Sequence, residues 1–346
     1  MMNRLDLPQL SLADIEHILG SSDRDLTERL AVAAREVTRL NFGRAMGLYA
    51  PLYISNYCEN GCAYCGFQSH SKLARKKMSS EEIEKECAAL AATGIRSCLI
   101  LTGESRHHSP PSYIRQAISI ATRFFPYVAL EVYPLEIDEY RDLYLAGADG
   151  VTLYQETYDR VRYDELHYWG PKKNYDYRYL APERVAQAGF RNISLGVLLG
   201  IADWKKDALD LFRHLRSLER RFPGVEFGLS FPRLRQVAED QHRYREVTDT
   251  EMVKIICMAR LLFPRVGISL STREDASFRD RIVELGVTRM SAGSSTAVGG
   301  YLKPAEKRHG GQFEVHDARD FGEIKSMLIR RGFDPVVTEW RNIADR

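Results

Sequence analysis

The sequence predicts an α/β fold, a (β/α)8 barrel of the TIM type with an N-terminal helical extension. Three observations lead there. Eight short runs rich in aliphatic and β-branched residues recur along the 346 residues. A segment with helical spacing follows each run. Polar and charged residues gather where the runs end, and a barrel presents the C-terminal ends of all its strands on one rim.

A lead-in at 10–45 has helical spacing and precedes the first run, LYAPLYIS (48–55). SCLILTG (97–103), VALEVYPL (128–135) and GVTLYQE (150–156) come next. NISLGVLLG (192–200), VEFGLSFP (225–232), VGISLST (266–272) and TRMSAGS (288–294) complete the eight. Near-continuous apolar runs suit strands covered on both faces. Residues 79–93 open on a capping box of Ser79 with Glu82, set Ile83, Cys87, Leu90 and Ala91 on one stripe, and stop at Gly94. Residues 248–263 repeat the device with Thr248 and Glu251, and Pro264 ends them. Further helices are expected at 111–125, 136–146, 181–188, 205–222, 275–285 and 317–331. An open doubly wound sheet is the competing layout, and eight units favour the closed barrel. The division that follows is 1–46 as the helical extension and 47–346 as the barrel domain with its C-terminal helix and tail.

Net charge is +2 from 49 basic and 47 acidic residues, so no global field draws the chain to nucleic acid or to a membrane surface. No apolar run reaches spanning length, and MMNRLDLPQLSLADIEHILG is an amphipathic soluble start without the pattern of a signal peptide. A cytoplasmic protein is expected, its six cysteines kept as thiols in a reducing compartment. KLARKKM (72–78) is read as a solvated basic face and SRHHSPP (105–111) as a polar loop.

YCENGCAYCGF (57–67) places Cys58, Cys62 and Cys65 within eight residues, with no fourth cysteine nearby. A closed structural zinc site takes four protein ligands. Three thiolates suit a four-iron cluster that keeps one iron open. A zinc site completed by His70 is the alternative. The loop 56–66 suits tight wrapping, since Asn60 and Gly61 can take positive φ and Gly66 lets the backbone pass close. Cys87, Cys98 and Cys257 sit in helix or strand patterns and are expected to pack in the core. The rim is expected to carry Glu104, Tyr133, Gln155, Glu156, Arg233, Arg235, Arg273, Glu274 and Ser291. Of these, Arg233 and Arg235 suit ion pairs with neighbours.

The C-x3-C-x2-C spacing, with Tyr64 before the last cysteine, resembles the signature of radical S-adenosylmethionine enzymes. PLYISNYCENGCAYCGF, LILTGES, GVTLYQETYDRVRYDELH, LSFPRLR, SLSTRE and FRDR follow in order from about residue 40. Together they resemble the aromatic amino-acid lyase family, on the side of the tyrosine lyases of thiamine thiazole biosynthesis. The sequence departs at Gln236, where that family usually has proline. The resemblance implies that Cys58, Cys62 and Cys65 hold one [4Fe–4S] cluster whose open iron chelates S-adenosyl-L-methionine. Thr102, Gly103 and Glu104 would then meet the cofactor's amino group, Glu156 its ribose diol and Arg178 its carboxylate, each by complementary charge or hydrogen bonding. Arg273 and Ser291 would hold the carboxylate of L-tyrosine and leave its amine facing the radical. Cα–Cβ cleavage would give 2-iminoacetate (dehydroglycine) and p-cresol. A reducing electron donor of flavodoxin or ferredoxin type and a thiazole synthase are the implied partners. No cysteine follows Cys257, so a second, C-terminal cluster that degrades dehydroglycine further is not expected. A lyase for tryptophan, or for tyrosine in another pathway, remains an alternative, as does a zinc-bearing binding protein.

Overall fold

The computed structural model describes residues 12–234, 244–302 and 311–337. Eight parallel strands run in chain order around the molecule: β1 (Ala45–Ser55), β2 (Ser97–Thr102), β3 (Tyr127–Glu131), β4 (Gly150–Glu156), β5 (Asn192–Val197), β6 (Glu226–Ser230), β7 (Gly267–Leu270) and β8 (Arg289–Ser291). β1 pairs with β2 through Ala50 and Cys98, and with β8 through Gly47 and Arg289. That double pairing closes the barrel and rules out the open doubly wound sheet. A ninth strand, β9 (Asp334–Val336), pairs with the start of β1 below β2. At three residues it is too short to announce itself in the sequence.

The helices are α1 (Leu12–Gly20), α2 (Arg24–Phe42), α3 (Ser80–Ala92), α4 (Pro111–Ala121), α5 (Ile137–Leu145), α6 (Arg160–Leu166), α7 (Tyr175–Tyr179), α8 (Ala181–Gln187), α9 (Trp204–Arg221), α10 (Asp249–Leu262), α11 (Ala276–Ile282) and α12 (Phe321–Arg330). Both expected capping boxes are formed, Ser79 with Glu82 and Thr248 with Glu251. Helices α6 and α7 fall between β4 and α8, where no separate helices were expected, because each is under two turns long. α2 and α10 share the guanidinium of Arg260, which is fully buried, lies 4.6 Å from the Phe42 ring and donates to the carbonyls of Pro264, Val266 and Gly286. No described helix is long and apolar enough to cross a membrane.

The apolar core lies between sheet and helices, where Ile54, Ile100, Leu130 and Val151 meet side chains such as Ile83, Leu90 and Ile114. The barrel axis is different. TIM-type interiors are usually filled by branched aliphatic layers. Here Ser97, Thr152, Ser194, Ser230 and Ser269 surround a cavity with Glu131 and Arg289. Small and polar inward residues leave room along the axis, and that room opens upward into the site.

Candidate active site

β1 ends at Ser55, and the loop carrying the three cysteines is folded by contacts from outside itself. Gly61 N–H donates to the Trp169 carbonyl (3.1 Å), Ala63 N–H donates to that of Leu166 (3.0 Å), and Tyr168 N–H donates back to Gly61 (2.9 Å). Asn60 is the tie between loops. Its Nδ2 donates to Glu104 Oε2 (2.9 Å), and its Oδ1 accepts from the Lys172 N–H (2.8 Å). Arg75 turns inward from the basic stretch and donates to the carbonyls of Asn56 (2.6 Å) and Phe67 (2.8 Å), clamping the two ends of the loop. The stretch 72–78 is therefore a solvated face only in part: Lys72 and Lys77 are exposed, and Arg75 is structural.

The loop glycines work by proximity. Neither Asn60 nor Gly61 uses the positive φ that both could adopt. A Cβ on Gly61 would lie 2.4 Å from the Trp169 indole, and one on Gly66 would lie 2.8 Å from the Gln312 carbonyl oxygen. A Cβ on Gly103 would meet the Tyr57 carbonyl at 2.3 Å, so β2's end and the cysteine loop touch backbone to backbone.

Cys58, Cys62 and Cys65 line one cavity with Thr102, Gly103, Glu104, Glu156 and Arg178. Burial pushes the Cys58 thiol up to about 11 and raises those of Cys62 and Cys65, with Lys172 opposing the rise at the last two. The thiols therefore stay protonated until a metal compensates their charge. Among the described residues no group of three or more His, Cys, Asp or Glu side chains is arranged to hold a single metal ion. A cubane sets each thiolate on a different iron, and three thiols opening on one cavity fit it with one iron left free. His70, the fourth ligand of the zinc alternative, is not among the residues lining the thiol cavity and packs instead against Trp169 at 4.5 Å. Cys87, Cys98 and Cys257 are buried in the core, as expected.

Around the thiols the charges are paired. Arg178, almost wholly buried, bonds the Glu104 carboxylate and donates to the Tyr154 carbonyl at 3.2 Å. Lys172 Nζ lies 2.6 Å from Glu156 and 4.0 Å from Glu104. Burial raises and Arg178 then lowers the Glu104 carboxyl, with a net fall that keeps it ionised. Thr102 Oγ1 and Arg178 Nε are buried with no partner among the described residues. These orphaned polar atoms beside a carboxylate and a guanidinium fit a polar, zwitterionic ligand. Glu156 itself has φ 72°, the one non-glycine positive φ among the described residues, and sits past a register shift in the β4–β5 ladder. Strain of this kind concentrates where a side chain has been re-aimed for use.

A second cavity continues from the first and shares Cys65, Glu131, Tyr154, Glu156, Lys172 and Gln312 with it. At its far end stand Arg273 and Ser291, the former with its guanidinium 3.7 Å from the Phe313 ring. Ser291 Oγ accepts the Thr272 N–H at 3.1 Å. Arg279, wholly buried against Asp317, donates to the Ser291 carbonyl and fixes that corner. Arg233 bonds Glu274 and reaches Asp249 at 2.8 Å, so both of these rim charges serve structure. Arg235 and Gln236 lie outside the described residues. Tyr133, expected on the rim, stands past the end of β3 with its hydroxyl donated to the Ser109 carbonyl (2.7 Å).

Three residues that line the site, and one buried behind it, were not anticipated. Lys172 lies in GPKK, which has no strand or helix period to point it inward. Glu131 is the last residue of β3, and its inward phase was legible from Ala129 two positions earlier. Gln312, in a loop distant in sequence, accepts from the Tyr53 hydroxyl (2.8 Å) and comes to 3.9 Å from Cys65 Sγ. His167 carries the motif tyrosine: its Nδ1 lies 2.6 Å from the Tyr163 carbonyl, and its Nε2 2.7 Å from Tyr64 Oη. A carbonyl only accepts, so Nδ1 bears the proton and Nε2 accepts from Tyr64. Burial pushes His167 down to about 2, which keeps it neutral.

A closed parallel barrel with three thiols lining a cavity at its strand ends is an arrangement that suits an iron–sulfur enzyme. The sequence profile of the Radical SAM superfamily matches residues 52–215, and that of the Biotin and Thiamin Synthesis associated domain matches residues 230–334. The chain is 35% identical to the 2-iminoacetate synthase of Salmonella typhimurium over 97% of its own length and 89% of that protein's. It superposes on the X-ray structure of the FeFe-hydrogenase maturase HydG from Carboxydothermus hydrogenoformans with a TM-score of 0.89 and 32% identity, covering 95% of this chain and 76% of that one. Methylornithine synthase (PylB), at 21% identity and a TM-score of 0.78 over 95% of this chain and 94% of that one, shares the fold. The chain belongs to the 2-iminoacetate synthase family of the radical S-adenosylmethionine superfamily. A [4Fe–4S] cluster and S-adenosylmethionine are the cofactors of that superfamily.

Proposed function

We propose that the chain is a tyrosine lyase that cleaves the Cα–Cβ bond of L-tyrosine to 2-iminoacetate and p-cresol for the thiazole of thiamine. The observation that carries the reading is a pair of cavities that share Cys65, Glu131 and Glu156, the three thiols lining one and Arg273 with Ser291 the other. In this reading Cys58, Cys62 and Cys65 hold the cluster. Glu104 and Arg178 are a charge pair that a zwitterion's amino and carboxylate groups mirror, with Thr102 Oγ1 a further partner and Gly103 bringing the backbone close. Glu156 receives the ribose diol. When bound, the cluster and S-adenosylmethionine supply a 5′-deoxyadenosyl radical.

The chain's own side chains then do the positioning. Arg273 presents a planar fork to the substrate carboxylate, held flat by the Phe313 ring. The Ser291 oxygen accepts from the Thr272 N–H, and its hydroxyl, hydrogen-bonded to Tyr49, turns its O–H to the carboxylate. Tyr49, Tyr53 and Tyr154, with Leu99 and Leu101, give the aromatic ring an apolar wall and keep water from the reacting atoms. Holding the carboxylate at the far end turns the amine toward the cluster side, and that geometry selects the atom attacked. The catalytic unit is the barrel that opens with β1, and α1 and α2 ahead of it are a helical extension; the expected boundary at 46 falls inside β1, which starts at Ala45. A flavodoxin- or ferredoxin-type donor supplies the electron, a thiazole synthase consumes the iminoacetate, and the setting is the cytoplasm.

The test is anaerobic turnover of reconstituted enzyme with reductant, S-adenosylmethionine and each aromatic amino acid. Tyrosine should give p-cresol and glyoxylate, the hydrolysis product of 2-iminoacetate, in equal amounts. Cleavage of tryptophan in place of tyrosine would overturn the assignment.

A further inference from the structure

Glu131 stands where the two halves of the site meet. It borders the thiol cavity, the cavity of Arg273 and Ser291, and the polar cavity along the barrel axis. If the cofactor fills the first and the amino acid the second, the atoms that react meet at this junction. Two carboxylates lie there. Glu156 is held by Lys172 at 2.6 Å, whereas among the described residues no hydrogen bond or ion pair reaches the Glu131 carboxyl.

An amino acid arrives with its nitrogen as an ammonium ion. Taking a hydrogen atom from an ammonium leaves a radical cation and breaks a stronger N–H bond than the neutral amine has. One proton must therefore leave the nitrogen first. We propose that Glu131 is the base that removes it, a role that rests on the lyase reading above. The step breaks one N–H bond, forms one O–H bond on Glu131 and moves no electron. The proton returns to water past Ser194, Ser230 and Ser269 as products leave.

The surroundings suit the task. Burial pushes the Glu131 carboxyl up to about 7, with Glu156 adding and Arg273, Lys172 and Arg178 opposing. A carboxyl at its ordinary 4.5 would be a poor acceptor for an ammonium proton. The other groups facing it are unsuited to accept a proton: the hydroxyls of Tyr49, Tyr53 and Tyr154 are raised by burial above their ordinary 10 and already hold one, and Arg289 stays charged.

The experiment compares reconstituted wild type with Glu131→Gln and Glu131→Asp, measuring p-cresol and 5′-deoxyadenosine separately from pH 6 to 10. For wild type, kcat/KM for tyrosine should rise through an inflection near 7. Glu131→Gln should fall roughly 100-fold or more near neutrality. Its residual rate should climb toward wild type at high pH, where the substrate amine loses its own proton. Glu131→Asp should keep the inflection with a smaller loss. Tyrosine affinity, by calorimetry on the same holoenzyme, should weaken below pH 7 in wild type and stay flat in Glu131→Gln. A Glu131→Gln profile that overlays wild type would overturn the proposal, and so would a loss that high pH does not restore. Wild type that makes no p-cresol from tyrosine at any pH is a different failure, removing the lyase reading and this inference with it.

Discussion

Arg273 lines the same cavity as Ser291, with its guanidinium 3.7 Å from the Phe313 ring. Arg178 and Arg233 stand on the same side of the barrel, the one bonded to Glu104 and the other to Glu274. A flat guanidinium on a ring is aligned for two carboxylate oxygens, and a lysine at this place keeps the charge without the fork. Arg273→Lys should lower kcat/KM for tyrosine by about two orders of magnitude, corresponding to roughly 2–3 kcal/mol of lost carboxylate binding. Iron content and slow cofactor cleavage without tyrosine should remain. Unchanged tyrosine affinity would place the carboxylate elsewhere. Glu131 makes a second prediction, on stability. Its carboxyl titrates near 7 folded and near 4.5 unfolded. Between those values the folded protein binds the extra proton, so stability falls as pH rises through the window, by about 3 kcal/mol in total. Glu131→Gln should match wild type in melting temperature at pH 4.5 and exceed it at pH 8. A wild-type-like melting temperature at pH 8 would show that the carboxyl is not held against its charge.

At the scale of elements, the site is a contact between strand ends. The Gly103 backbone rests on the Tyr57 carbonyl, and Glu59 N–H donates to the Glu104 carbonyl at 2.9 Å. The register of the cysteine loop against β2 thus depends on a missing side chain. Gly103→Ala should push Tyr57 and the adjoining Cys58 outward, costing about 2 kcal/mol as an overpacked contact. It should also lower the iron bound per chain. Denaturant midpoint and iron analysis measure the two effects, and a variant with wild-type values of both would show that the loop has slack. β4 is re-aimed by other means. Its ladder slips between Tyr154 and Glu156, and Asp207 from α9 then accepts from Thr157 Oγ1 (2.8 Å) and Tyr158 N–H (2.7 Å). The strained Glu156 is held from both sides.

For the molecule as a whole, the cysteine loop is an addition to a barrel that closes without it. The sheet is continuous from β1 through β8, whereas the loop is fastened by Asn60, Arg75 and the 166–169 segment. Metal binding should therefore stabilise the loop and leave the barrel standing. Chelated apoprotein is expected to keep its far-UV circular dichroism, to melt several degrees lower, and to be cut first by protease within 56–78. Loss of the whole circular-dichroism signal on iron removal would make the cluster part of the global fold.

The sequence by itself determined the eight strands, the two capping boxes and the three thiols, because each is written locally: in apolar runs, in a polar residue three before its partner, in a spacing of cysteines. It also placed Glu104, Glu156, Arg273 and Ser291 near one mouth, since a barrel brings strand ends together whatever the loops do, while Arg178 was indicated only by the family resemblance. Tertiary structure decided which of these charges meet. Arg178 found Glu104 and Glu156 found Lys172, pairs 74 and 16 residues apart that no period encodes. It also turned Gly61 into a seat for Trp169, made Arg75 a clamp, and left Glu131 at the junction of three cavities. Those outcomes depend on distances across the barrel, which are fixed only when the sheet closes and serines, in place of branched aliphatic side chains, leave a cavity along its axis.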